Sequence, residues 1–140
     1  MAAQSKGTIL VVDDQLELLE LVRTRMEAEG YRVLTASRGT EGLSAAQREH
    51  PDVILLDVVM PQMNGREVLL RLRSEEGTAD IPVIIISALG DEREMATSVG
   101  QGAVLHLPKP FNVKELVREV RLACRKHQDR HRGLPLLPTE

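Results

Sequence analysis

Aromatic rings are nearly missing from this chain: 140 residues hold no tryptophan, one tyrosine (Tyr31) and one phenylalanine (Phe111). Proteins that grip single-stranded nucleic acid stack successive bases on several such rings, so that class finds no support. The core must be built from Leu, Val, Ile, Ala and Met. The lone cysteine, Cys124, excludes an internal disulfide framework and a cysteine-built zinc cage, and it suits a reducing compartment. No apolar run approaches the roughly 18 residues of a membrane span, and Met1–Gly7 lacks the apolar stretch of a secretory signal. The expectation is a cytoplasmic protein with no membrane partner. Lysine is scarce as well, confined to Lys6, Lys109, Lys114 and Lys126. Eighteen basic residues face twenty-one acidic ones, for a net charge of -3. A nucleic-acid-binding face needs basic excess, so direct nucleic-acid contact is not expected.

What is present is ordinary for a packed domain: 42% hydrophobic and 28% charged residues. The length suits one domain. Its expected extent is residues 8–126, after a short extension (1–7) and before a flexible tail or linker (127–140) marked by Gly133, Pro135 and Pro138.

Apolar periods alternate along the chain. Thr8–Val12 is a continuous apolar run rich in β-branched residues, as for a strand buried on both faces. Leu18, Leu19, Val22 and Met26 form a helical stripe within Gln15–Glu29, and Gly30 supplies the stop. Tyr31–Ala36 alternates like a strand. A weaker helix over Thr40–Glu49 ends before Pro51, since the residue preceding proline disfavours the helical region. Val53–Leu56 is a strand followed by Asp57, and a Pro61–Gly65 turn leads into a helix over Arg66–Arg73. Ile81–Ile86 is the most apolar strand. A short polar helix at about Asp91–Val99, a strand at Ala103–Leu107 and an amphipathic helix at Val113–Lys126 complete the series. Five strands alternating with helices predict an α/β fold with a five-stranded parallel sheet covered on both faces. The flavodoxin-like doubly wound order 2-1-3-4-5 is the common solution, with its switch point between the first and third strands.

Ligands of open parallel sheets bind outside the carboxyl ends of the strands. Here the first strand ends in Asp13-Asp14, the third in Asp57, the fourth in Ser87-Ala88 and the fifth in Pro108-Lys109-Pro110. Singly, each residue has an ordinary explanation: Asp13 or Asp14 as a helix cap, Asp57 as a strand-end carboxylate, Ser87 as turn chemistry, Lys109 as a solvated lysine. Those explanations do not predict all five at neighbouring strand ends. Two carboxylates ~4 Å apart repel by about 4 kcal/mol at an effective dielectric of 20. Three of them beside one lysine therefore call for a cation, and hard oxygen donors favour Mg²⁺, with Mn²⁺ or Ca²⁺ as alternatives. A carboxylate with Mg²⁺, an ammonium and a hydroxyl makes a phosphoryl-transfer site, because Asp can form an aspartyl phosphate.

The stretches Ile9–Asp14 (ILVVDD), Asp52–Gly65 (DVILLDVVMPQMNG), Ile81–Ala88 (IPVIIISA), Gly102–Ala103 and Leu107–Phe111 (LPKPF) resemble the receiver domain of bacterial two-component response regulators. The chain is closely similar to the single-domain chemotaxis type, and the resemblance covers roughly residues 8–125. It implies a phosphorylation-dependent signalling switch rather than a conventional enzyme, promoting its own aspartyl phosphorylation and dephosphorylation. Asp57 would be the phosphoacceptor, fed by a sensor histidine kinase, a phosphotransfer protein or a small phosphodonor. Asp14 would bind the metal directly and Asp13 through water, with Asp57 and the backbone carbonyl of Val59 completing the ligands. Ser87 and Lys109 would hold the phosphoryl oxygens, and the Lys109–Pro110 bond would be cis. A downstream protein would read the face made by the fourth helix, fifth strand and last helix, the domain being a monomer or a phosphorylation-dependent dimer.

One position departs from that pattern. Where the family often places Tyr or Phe, three residues before the lysine, this chain has His106. It is either a partly exposed strand histidine or a smaller, titratable switch ring. Leu89 would place an apolar side chain near the site and slow water attack on the phosphate. The basic residues Arg118, Arg121, Arg125, Lys126, Arg130 and Arg132 complement the dipole of the last helix or form a docking surface. Two other classes stay open: a haloacid-dehalogenase-like phosphatase, which would want a second Asp where Val59 stands, and a binding module that no longer takes phosphate.

Overall fold

The computed structural model describes residues 5–57, 65–88 and 105–131, with Ser87 and Ala88 as backbone only. The apolar runs form β1 (Thr8–Val12), β2 (Arg32–Ala36), β3 (Val53–Asp57), β4 (Val83–Ala88) and β5 (Leu105–Lys109). All pair in parallel in the order β2-β1-β3-β4-β5, the doubly wound arrangement expected. Helices α1 (Leu16–Ala28), α2 (Gly39–Glu49), α3 (Gly65–Ser74) and a C-terminal helix (Val113–His131) complete the described elements. The helix expected at 91–99 and most of the Pro61–Gly65 turn lie outside the described residues.

Strand side chains alternate between the two faces of a sheet, and here both faces are covered. Ile9, Val11, Val53, Leu55, Ile84 and Ile86 pack under α1 and the C-terminal helix. Leu10, Val12, Ile54, Leu56, Val83 and Ile85 pack under α2 and α3. That is why the strands read as unbroken apolar runs. Each fully buried side chain of this size contributes about 1.5–3 kcal/mol relative to exposure.

Local chemistry sets the helix ends. Gly30 takes a φ of 102° after α1, a conformation open to glycine. His50 closes α2 in the left-handed region at φ 47°, just before Pro51. Asn112 starts the C-terminal helix, its Oδ1 accepting the Lys114 and Glu115 amides at 2.8 and 3.2 Å.

The C-terminal helix runs to His131 rather than stopping at Lys126, which moves the start of the expected tail. His127 continues the inward stripe of Leu116, Val117, Val120, Ala123 and Cys124 and is only 7% exposed. It is polar, so a search for apolar periodicity ends one turn early. Its Nδ1 lies 3.0 Å from Asp52 Oδ1, and Asp52 Oδ2 accepts the Thr8 amide at 2.9 Å. Burial pushes the Asp52 carboxyl up, but the hydrogen bonds from His127 and Thr8 outweigh it and hold it below its usual value. Asp52 thus ties the beginnings of β1 and β3 to the last helix.

Candidate functional site

Register brings the acidic residues together. Val12 pairs with Leu56 across β1 and β3, so Asp13 and Asp57, each one residue further, emerge side by side. Ile86 of β4 faces Asp57, and Ala88 faces Lys109 of β5. Every expected strand-end residue therefore reaches the same edge of the sheet. Carboxylate oxygens of Asp13, Asp14 and Asp57 lie within 4.8 Å of one another. Asp13 is fully buried, Asp57 is 4% exposed and Asp14 is exposed.

Lys109 Nζ lies 2.8 Å from Asp13 Oδ2 and 3.5 Å from Asp57 Oδ2. It also donates to Gln15 Oε1 at 2.8 Å, and the Lys109–Pro110 peptide is cis. The ammonium approaches Asp13 Oδ2 off the hydrogen-bonding direction, so this buried oxygen is ion-paired yet receives no hydrogen bond. An oxygen in that condition, in a cluster of hard donors with more negative than positive charge, fits a small divalent cation.

Asp13 does not serve as an ordinary cap of α1. The cap position belongs to Gln15, which makes no side-chain cap, and Asp13 Oδ1 accepts the Gln15 amide at 2.8 Å in a local turn. That bond fixes the carboxylate's orientation. Gln15 is the residue that sequence reasoning missed. Its only signal was its place directly after two aspartates at a strand-to-helix junction.

His106 is 8% exposed, which corrects the expectation of a partly exposed strand histidine. Its neighbours Leu105 and Leu107 belong to the face under α1 and the C-terminal helix. Alternation turns His106 to the opposite face, beside Ile85. Val59 and Leu89, named from the sequence, lie outside the described residues, as does the side chain of Ser87.

A family model described as response regulator receiver domain matches residues 9–121. The chain belongs to that family, whose general function is phosphorylation-dependent signalling. A probable transcriptional regulator ycf27 of Cyanophora paradoxa is 40% identical over 125 residues, covering 89% of this chain and 51% of the relative. The DNA-binding dual master transcriptional regulator RpaA of Synechocystis is 39% identical over 118 residues, covering 84% and 49%. The chain thus spans about half the length of the curated relatives it matches. Among solved structures, the chemotaxis protein CheY4 of Vibrio cholerae superposes with a TM-score of 0.78 at 30% identity, covering 86% of this chain and 99% of that one. The receiver domain of the Francisella response regulator 1452 gives 0.79 at 30% identity, covering 86% and 98%. Among the described residues no helix is long and apolar enough to cross a membrane.

Proposed function

We propose that Asp57 is the phosphoacceptor of this switch and that Asp13, Asp14 and Lys109 prepare it. The observation that carries this reading is the position of Lys109 Nζ between Asp13 and Asp57, at 2.8 and 3.5 Å. An Asp57 oxygen attacks the phosphorus of a kinase phosphohistidine, or of a small acyl phosphate. The new P–O bond forms as the bond to the leaving group breaks, and the departing imidazole or carboxylate keeps the electron pair. Lys109 shields the attacking carboxylate from its neighbour's charge and then pairs with a phosphoryl oxygen. Ser87, on the strand adjacent to Asp57, would donate its hydroxyl to another. Asp13, Asp14, Asp57 and the Val59 carbonyl would hold Mg²⁺ or Mn²⁺. When bound, the ion supplies neutralisation of charge on the phosphoryl oxygens.

The partners of this reading are a sensor histidine kinase or phosphotransfer protein upstream and a protein downstream. On the output side, β5 and the C-terminal helix offer Leu122, 44% exposed, close to Leu105 and Glu119. His106 sits on β5 next to Leu105 and Leu107, with its ring on the opposite face of the sheet beside Ile85.

The test is incubation with acetyl phosphate, or beryllofluoride, plus Mg²⁺, followed by intact-mass analysis. One equivalent of adduct is expected, absent in Asp57→Asn. No adduct on the native chain would make it a binding module, and turnover of many equivalents would make it a phosphatase.

A further inference from the structure

At the edge of the sheet opposite the aspartates, a second group of ligand-type side chains comes together. Ligand atoms of Asp80, His127 and His131 lie within 4.8 Å of one another. The two histidines are four residues apart on the C-terminal helix, hence on one face, with ring centroids 4.3 Å apart. Asp80, just before β4, brings Oδ2 to 2.6 Å from His131 Nε2.

A second observation concerns His127, which is 7% exposed. Its Nδ1 faces Asp52 Oδ1 at 3.0 Å. An ionised carboxylate only accepts hydrogen bonds, so Nδ1 carries a proton, and the neutral ring then offers its lone pair on Nε2. That Nε2 is buried and has no hydrogen-bond partner among the described residues. Carboxylate, histidine and an open ring nitrogen are the arrangement that orients imidazoles toward metal ions. A cavity of about 400 Å³ lined by Asp80 and His127 gives access from solvent.

The geometry points to a binding site for a divalent transition ion of the zinc class, held by His127 Nε2, His131 and Asp80 and oriented by Asp52. Two imidazoles and one carboxylate suit Zn²⁺ over Mg²⁺, and three protein ligands leave a position for water. Tetrahedral bonds of ~2.0–2.1 Å set ligand atoms about 3.3 Å apart. His131 and Asp80 have exposed side chains (54% and 38%) that can close to that spacing, while His127 stays fixed. The nearby cations do not block the site. Arg73 feels the charge of Asp80 but is anchored on the Ala79 and Ile81 carbonyls at 2.8 and 2.7 Å, and Lys126 and Arg130 are exposed.

A bound ion would clamp the end of the last helix to the α3–β4 connection, away from Asp57. The test uses the full, tag-free chain with millimolar Mg²⁺ present to occupy the aspartate cluster. Zn²⁺ is titrated against a chromophoric chelator, and Co²⁺ is added separately to read its visible absorption. One equivalent of Zn²⁺ is expected, with intense Co²⁺ bands typical of low coordination number. Both His131→Ala and Asp80→Asn, on exposed side chains, should weaken Zn²⁺ binding at least about tenfold, whereas His50→Ala and Asp57→Asn should not. Absence of stoichiometric binding, or binding unaffected by both His131→Ala and Asp80→Asn, would overturn the site.

Discussion

Lys109 is the one described cation that answers the buried charge of Asp13, so its removal has a definite sign. Breaking a buried ion pair costs ~3–5 kcal/mol because a charge is left behind. Lys109 is one-fifth exposed, which places Lys109→Ala at the low end, about 3 kcal/mol or less. Thermal unfolding in chelator should show the drop, and added Mg²⁺ should restore part of it, since a cation can stand where the ammonium stood. Phosphorylation of that variant should still occur on Asp57 but produce a weakened change in partner binding. A full downstream response would remove the role given to the lysine. Cys124 offers an independent check at the same scale. Burial, reinforced by the nearby Asp52 charge, pushes its thiol up from 9.0 to about 12. A group whose folded value is raised contributes stability in full below its unfolded value and loses it as pH climbs to the folded one. For Cys124 that loss falls between pH 9 and about 12. At pH 8 iodoacetamide should label the native thiol slowly and the denatured thiol rapidly, as followed by mass spectrometry. Rapid native labelling would mean that the last helix opens.

The element that most directly supports the aspartates is α2, through one glycine. A Cβ on Gly42 would lie 2.6 Å from Val12 Cγ2, and Val12 is fully buried, β-branched and the residue before Asp13. Alanine is the better helix former by ~1 kcal/mol, but overpacking a tight core contact costs ~1–3 kcal/mol. Val12 has little freedom to move aside. Gly42→Ala should therefore lower the melting temperature despite the improved propensity, and a rise would show that the strand end yields. Elements of this kind were legible to different degrees. The strands could be read because two covered faces demand continuous apolar runs. The site could be read because Asp57 interrupts such a run and Lys109 stands between prolines. Strand limits shifted, β4 to Val83–Ala88 and the end of β5 to Lys109, since a run buried throughout carries no mark of where pairing stops. Gln15 could not be foreseen: its bond to Lys109 spans 94 positions. His127 and Asp80 escaped notice for a related reason, as their meeting depends on a helix that continues past its apolar stripe.

At the level of the whole molecule, the parallel sheet separates two polar edges by an apolar slab. One edge carries the aspartates and Lys109. The other carries Asp52, His127, Asp80 and His131. A ligand that binds only the folded chain stabilises it by mass action, about 2.7 kcal/mol at one hundred times its Kd. Mg²⁺ should accordingly raise the melting temperature, and Asp14→Asn, on an exposed side chain, should abolish the rise. An unchanged melting curve in the native chain would count against a cation among the aspartates. The scarcity of rings has a practical sequel. Tyr31, buried at the junction of α1 and β2 with the Lys6 ammonium 6.0 Å from its ring centre, is the chain's only phenol, and there is no indole. The tyrosine band in absorbance and emission therefore reports a single spot remote from the carboxyl edge. A tryptophan introduced beside Asp57 would shine against an almost dark background.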